Sequence, residues 1–90
     1  MEAPEITVEF FAVPRLRAGR ASLSVRATTL VELLSAVDDA CPELRCVVGA
    51  VCRLNPQYLL SINGERFVTE LTAPIRAGDR VLLLSADVGG

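Results

Sequence analysis

The sequence predicts an α+β fold in which a mixed sheet of four to five strands packs on one main helix. Two segments near the N-terminus alternate between apolar and polar residues, and one segment near the C-terminus is almost continuously apolar. Both patterns are typical of strands. Between them, a single segment has the apolar spacing of an amphipathic helix. A lone helix of this kind buries its apolar stripe against a sheet, so the two are expected to share one core.

The first two strands are predicted to form a hairpin. The first strand is residues 6–13, and its inward face is expected to carry Ile6, Val8 and Phe10. Phe11 departs from this pattern, because it is an aromatic residue on the face that is otherwise polar. Residues 14–20 contain proline, glycine and three arginines and are predicted to connect the strands. Residues 21–27 alternate again, which predicts an antiparallel partner.

The predicted helix has Thr29 as its N-cap. Glu32 follows three positions later, and the two residues together make a capping box. Apolar side chains at helical spacing form a stripe that is expected to face the sheet: Leu30, Leu33, Leu34, Val37 and Cys41. Pro42 limits the helix, because proline cannot continue its hydrogen-bond pattern.

The second half of the chain contains the remaining strands. Residues 42–56 have a weak pattern and are predicted to form a variable connection with room for one helical turn. Residues 58–63 are strand-like, and the Asn63-Gly64 pair is a strong turn signal. Extended structure resumes at residues 66–68.

The last strand is predicted at residues 80–86. It is nearly all apolar, which is typical of a central strand covered on both faces, and we expect it beside the first strand. The order of hairpin, helix and two main strands, with a short strand between those two, is the ββαββ layout of the β-grasp, or ubiquitin-like, fold. Because several functions use this fold, the architecture does not by itself indicate an activity.

Length and composition indicate one small domain, residues 1–90. The net charge of −2 argues against nucleic-acid binding, which needs a basic surface. No apolar run is long enough to cross a membrane, and the N-terminus does not resemble a signal peptide, so we expect a cytoplasmic protein. Cys41, Cys46 and Cys52 lack the spacing of metal sites, and histidine is absent; we expect these cysteines at packing or loop positions.

The chain ends in Gly89 and Gly90. Such an end is either a frayed terminus or a segment whose backbone is approached closely, since glycine has no Cβ. In the second case the C-terminal carboxylate is the reactive group, and the protein is a substrate or carrier. The chain has no phosphate-binding loop, no histidine and no lysine, so a partner would have to activate that carboxylate.

Three short motifs accompany the Gly-Gly end. They are residues 8–12 followed by Arg15-Leu16-Arg17 and Gly19, residues 61–65, and residues 77–84. With this ordered set the chain resembles the ThiS/MoaD family of sulfur-carrier proteins over nearly its whole length. It departs from the family at residues 85–88, where Ser-Ala-Asp-Val stands in place of Pro-Pro-Val or Pro-Ala-Val. Without these prolines, a looser exit and a flexible tail at residues 85–90 are expected.

The resemblance implies a carrier that binds no cofactor itself. A ubiquitin-activating-type adenylyltransferase uses ATP to activate Gly90, the site of the thiocarboxylate, and Gly89 allows entry to its channel. A sulfur-accepting synthase subunit then takes the sulfur for molybdopterin, thiamine or cysteine biosynthesis. The residues expected to contact partners are Phe11, Leu84, Phe67 and Val88; for Phe11, Leu84 and Phe67, core packing is the alternative.

Two other functions remain open at this point. The first is a ubiquitin-like protein modifier, in which activated Gly90 is joined to lysines of target proteins. The second is a non-covalent β-grasp binding module that senses a ligand or RNA. The acidic balance and the lack of basic and aromatic interleaving disfavour the second.

Overall fold

A computed structural model describes residues 3–50 and 52–86 of the chain. In this part of the chain two helices and seven strands are present. They are β1 (Glu5–Phe10), α1 (Val13–Ala18), β2 (Ser22–Arg26), α2 (Leu30–Ala40), β3 (Val47–Val48), β4 (Arg53–Leu54), β5 (Tyr58–Ile62), β6 (Arg66–Phe67) and β7 (Arg80–Ser85). Neither of the two helices within these residues has the length and apolar character needed to cross a membrane.

The main sheet has five strands in the order β2-β1-β7-β5-β6. β7 is the central strand and runs parallel to β1, while the other neighbouring strands are antiparallel. The predicted position of the last strand beside the first is therefore correct. With α2 as the main helix, this is the mixed sheet of a β-grasp fold, and the predicted fold class is confirmed.

The core lies between α2 and one face of the sheet. All five residues of the predicted apolar stripe are buried, as are the inward residues of β1. Thr29 is the N-cap, and its side chain accepts a hydrogen bond from the backbone N–H of Glu32. The main hydrogen bonds to the Glu32 carboxylate come from Thr28, whose backbone N–H and hydroxyl donate to it at 3.0 and 2.8 Å. The predicted N-cap is thus present, but the Glu32 carboxylate bonds mainly Thr28, the residue before the N-cap.

The connection between β1 and β2 differs from the prediction. β1 ends at Phe10, and residues 14–20 contain most of α1 instead of a simple hairpin connection. Pro14 lies in the first turn, where a missing backbone N–H costs no helical hydrogen bond. Gly19 ends the helix in the left-handed conformation, with φ of 71°. A helix this short has too few residues for a periodic signal in the sequence.

The connection at residues 42–56 also contains structure that the sequence pattern did not predict. β3 and β4 form an antiparallel two-stranded hairpin there. The carboxylate of Asp38 in α2 accepts hydrogen bonds from the backbone N–H groups of Cys46 and Val47 at 2.7 and 3.1 Å. Strands of two residues are too short for alternation to be recognised. The hydrogen bonds of Asp38 join separate elements, so a local sequence pattern does not reveal them.

β7 is central but is not covered on both faces. Its residues Val81 and Leu83 are fully buried, whereas Leu82 and Leu84 are only half-buried. The interpretation of its continuous apolar run was wrong in this respect. The physical reason is that α2 packs on the inner face, and the alternate residues of β7 point to the outer face of the sheet.

Candidate functional site

The candidate reactive residues, Gly89 and Gly90, and one partner-contact candidate, Val88, lie outside the described part of the chain. Val88, Gly89 and Gly90 follow the last described residue, Ala86. The structure therefore describes what leads to them: the end of β7 and the surfaces around it. Of the predicted tail, residues 85–90, Ser85 belongs to β7 and is described together with Ala86.

Apolar residues cluster on the outer face of the sheet near this end of β7. We call this group the outer patch: Phe11, Leu59, Phe67, Leu82 and Leu84. The strand register brings four of them together. Leu84 pairs directly with Leu59 on β5, and Ser61, two residues along β5, pairs with both Leu82 and Phe67. Residues paired in this way have side chains on the same face of the sheet.

Phe11 extends the outer patch on the side of β1. Phe10 pairs with Leu83 in the parallel register, and the backbone N–H of Phe11 donates to the carbonyl oxygen of Leu83 at 3.0 Å. The register continued by one residue places Phe11 beside Leu84. Its exposed fraction is 38%, and that of Phe67 is 65%. Neither aromatic ring belongs to the buried core.

The three described docking candidates from the sequence, Phe11, Phe67 and Leu84, are thus brought to the same face. Leu59 and Leu82 also belong to the outer patch and were missed. A signal for them existed, because they occupy the strand positions that alternate with the buried residues of β5 and β7. It was overlooked because a continuous apolar run was interpreted as burial on both sides.

A charged pair borders the outer patch on β1 and β7. The guanidinium of Arg80 donates through both Nε and Nη2 to the carboxylate of Glu9, with the Nε–Oε2 distance 2.7 Å. Glu9 pairs with Leu82 in the β-sheet register, so this ion pair lies next to the apolar side chains. The arrangement is an apolar centre with a charged border, as is usual for protein-binding surfaces.

Hydrogen bonds hold the chain where it leaves the sheet. The backbone N–H of Val13 in α1 donates to the Ser85 hydroxyl at 3.0 Å. The backbone N–H of Ala86 donates to the carbonyl oxygen of Gln57 at 2.8 Å. These residues line a cleft of about 440 Å³ beside the chain exit: Val13, Arg17, Pro56, Gln57, Ser85 and Ala86.

The cysteines do not form a reactive centre in the described residues. Cys41 and Cys46 are buried, and Cys52 is exposed in the loop between β3 and β4, which matches the expected packing and loop positions. Burial and the nearby Asp38 carboxylate raise the pKa of the Cys46 thiol, so it stays protonated and unreactive. Within residues 3–50 and 52–86, histidine, cysteine and acidic side chains make no cluster suited to a metal ion.

No protein-family model and no curated protein sequence gives a significant match to this chain. Solved structures do. SAMP1 of Haloferax volcanii is 27% identical with a TM-score of 0.80, and the match covers 96% of this chain and 99% of that one. The small archaeal modifier protein 1 of Methanosarcina acetivorans is 22% identical with a TM-score of 0.83, covering 100% and 99% of the two chains.

A third match is a chain of the BexX/CysO complex of Amycolatopsis orientalis. It is 24% identical with a TM-score of 0.75, and the match covers 94% of this chain and 99% of that chain. All three matches span nearly the whole of both chains, so they concern the complete fold and not a shared fragment. This chain therefore has the β-grasp, ubiquitin-like fold, and its structural neighbours are ThiS/MoaD-like, ubiquitin-like sulfur carriers, as the resemblance in sequence predicts.

Proposed function

We propose that this protein is a sulfur carrier whose C-terminal carboxylate, on Gly90, is converted to a thiocarboxylate. One observation carries the proposal: the chain matches SAMP1 over 96% of its length, and its sequence reaches Gly-Gly three residues after β7, the central strand of the fold. The outer patch beside that strand supports it, because a carrier without catalytic groups of its own needs a surface by which an enzyme recognises it.

The chemistry requires two steps on the C-terminal carboxylate. A carboxylate oxygen of Gly90 first attacks the α-phosphorus of ATP, which forms an acyl-adenylate and releases pyrophosphate. The sulfur of hydrogen sulfide, or of a donor that delivers it at the same oxidation level, then attacks the acyl carbon. AMP leaves with the bridging oxygen, and sulfur takes its place. Neither step needs an oxidant or a reductant.

The activating partner in this proposal is a ubiquitin-activating-type adenylyltransferase, which binds the ATP. The chain has no lysine, no histidine and no phosphate-binding loop with which to do so itself. Docking through the outer patch holds the carrier while Gly89 and Gly90 enter the partner's channel; Val88 makes contacts at its mouth. A side chain at either glycine would hinder that entry.

The acceptor in this proposal is a synthase subunit that takes the sulfur for molybdopterin, thiamine or cysteine biosynthesis. The occurrence of a neighbour in the BexX/CysO complex supports the idea that carriers of this shape bind a protein partner. In this proposal the activating enzyme and the acceptor subunit bind the same outer patch at different times, because the activating enzyme must release the C-terminal group before the acceptor subunit can take it.

A second candidate function is protein modification through Gly90. The name of one structural neighbour, small archaeal modifier protein 1, favours it. Both functions begin with the acyl-adenylate, and they differ in the nucleophile that follows. Sulfide gives the carrier product, whereas a target lysine amine gives an amide bond.

The test is intact mass spectrometry after incubation with ATP, a purified ubiquitin-activating-type adenylyltransferase of the source organism and sulfide. We expect a mass increase equal to replacement of one oxygen by sulfur. A chain that lacks Gly90 is the matched control and is expected to stay unchanged. An unchanged wild-type mass contradicts the carrier proposal. High-mass conjugates of a tagged chain in its own cells indicate the modifier function.

A further inference from the structure

The hydrogen bonds at the end of β7 form a connected group that the proposed chemistry does not itself require. We call this group the tail-base clamp: Val13, Arg17, Gln57, Ser85 and Ala86. Its first part consists of the two bonds already described, from Val13 to the Ser85 hydroxyl and from Ala86 to the Gln57 carbonyl oxygen. The last two described residues of the chain are thus held from two sides, one by α1 and the other by the segment that enters β5.

The second part of the tail-base clamp ties these two sides to each other. Nη1 of Arg17 donates to the side-chain oxygen of Gln57 at 2.8 Å and to the hydroxyl of Tyr58 at 2.7 Å. The Tyr58 hydroxyl in turn donates to the carbonyl oxygen of Leu44 at 2.5 Å. Because Tyr58 is buried and fully hydrogen-bonded, Arg17 is anchored to a fixed part of the core.

Backbone strain marks the same place. Ala12, directly before Val13, has φ of 58° and ψ of −129°. An alanine in this region is strained, and such a conformation persists only where surrounding contacts impose it. The strained residue turns the chain out of β1 and into α1, at the point where the Val13 N–H meets Ser85. Three separate observations thus concern the point where the chain leaves the sheet. They are the backbone strain at Ala12, the hydrogen bond to Ser85 and the hydrogen bonds of Arg17.

We propose that the tail-base clamp is a positioning device, which fixes the direction in which the chain leaves the sheet after Ala86 and so presents Gly90 to the adenylating site. This inference rests on the proposed function. Prolines that would stiffen the exit are absent from residues 85–87. The clamp restrains the exit by hydrogen bonds instead. When only a fraction of molecules directs the carboxylate correctly, the apparent affinity for the partner falls by that fraction.

The test compares Ser85→Ala with wild type in adenylation by the purified activating enzyme, followed as pyrophosphate release. Ser85→Ala removes the acceptor of the Val13 N–H, and water replaces it because Val13 is 37% exposed; the fold is therefore kept. We expect KM for the carrier to rise about 3- to 10-fold while kcat changes less than about twofold. This result is expected when a smaller fraction of the molecules is in the conformation that can bind, while the bound molecules react as before. Ser85→Thr keeps the hydroxyl and is expected to restore KM.

The matched control is Ser22→Ala, at an exposed serine of the edge strand β2. An unchanged KM in Ser85→Ala, or an equal rise in Ser22→Ala, overturns the inference while the proposed function stands. If the wild type is not adenylated, the proposed function fails first and the positioning role fails with it. Amide hydrogen exchange separates the cases further. Faster exchange at Val13 and Ala86 in Ser85→Ala supports the clamp, and unchanged exchange at both overturns it.

Discussion

Leu59 of β5 and Leu84 of β7 face each other directly across an antiparallel pair on the outer side of the sheet. Both are half-buried, and Leu84 lies one residue before Ser85, the last residue of the strand. The outer patch and the point where the chain leaves β7 are therefore adjacent. Under the proposed function, a partner that covers this leucine pair also lies close to the point where the chain leaves the sheet, and this proximity would reduce the search that the tail must make.

The first prediction concerns docking through the outer patch. Phe67→Ser and Leu59→Ser each remove apolar surface from the proposed contact with the partner, and we expect kcat/KM for adenylation to fall about 10- to 100-fold, as for central interface residues. Leu16→Ser is the matched control, because Leu16 is 81% exposed on α1 and does not belong to the outer patch. An equal effect of all three substitutions would contradict a specific role for the patch. Thermal unfolding measurements check that the variants remain folded.

The second prediction concerns the channel for the tail. Gly89→Ala adds one methyl group near the reacting carboxylate, and we expect thiocarboxylate formation to slow by about tenfold or more, which corresponds to roughly 1.4 kcal/mol. Circular dichroism and the unfolding temperature should match those of wild type, since Gly89 belongs to none of the described helices and strands. The measurement is the time course of the intact mass. A normal yield from Gly89→Ala at the wild-type rate would refute the channel argument.

The third prediction concerns the cap of α2. Hydrogen bonds from the backbone N–H and then the hydroxyl of Thr28 hold the pKa of Glu32 below its ordinary value of 4.5. The folded pKa is the lower one, so this contribution to stability is fully present above about pH 4.5 and is lost as pH falls through the folded pKa.

Denaturant midpoints measured at falling pH test this dependence. Glu32→Gln should remove that part of the pH dependence, because an amide does not titrate. Glu43→Gln removes an exposed carboxylate beyond the end of α2, outside the cap, and serves as the control. If Glu32→Gln keeps the wild-type profile, the cap does not contribute in this way.

The fourth prediction concerns thiol reactivity. The raised pKa and burial of Cys46 leave almost no thiolate at neutral pH, and Cys41 is buried as well. Cys52 is exposed, so a maleimide reagent should label it alone in the folded protein and label all three cysteines in denaturant. Mass spectrometry of the labelled chain with peptide mapping gives the answer. Rapid native labelling of Cys46 would mean that the region around β3 opens readily.

Much of the fold could be predicted because its signals are local. The Thr29 cap and the apolar stripe of α2 lie within one short segment, and the positive φ values of Asn63 and Gly64 are those of the expected tight turn. α1 and the β3–β4 hairpin could not be predicted. They are too short for a periodic pattern, and contacts with other elements stabilise them, such as those of Asp38 with the hairpin.

The sequence by itself led to the proposal that chemistry takes place at Gly90: Gly-Gly follows the most apolar strand, and the chain has no lysine, histidine or phosphate-binding loop. Only the tertiary structure decided what surrounds that end. Leu59 meets Leu84, and Val13 binds Ser85 across 72 residues of sequence, because the register between β1, β5 and β7 brings them together. The physical reason is that the residue types along one strand show which side chains share a face of the sheet. The pairing of that strand depends on residues far away in the chain.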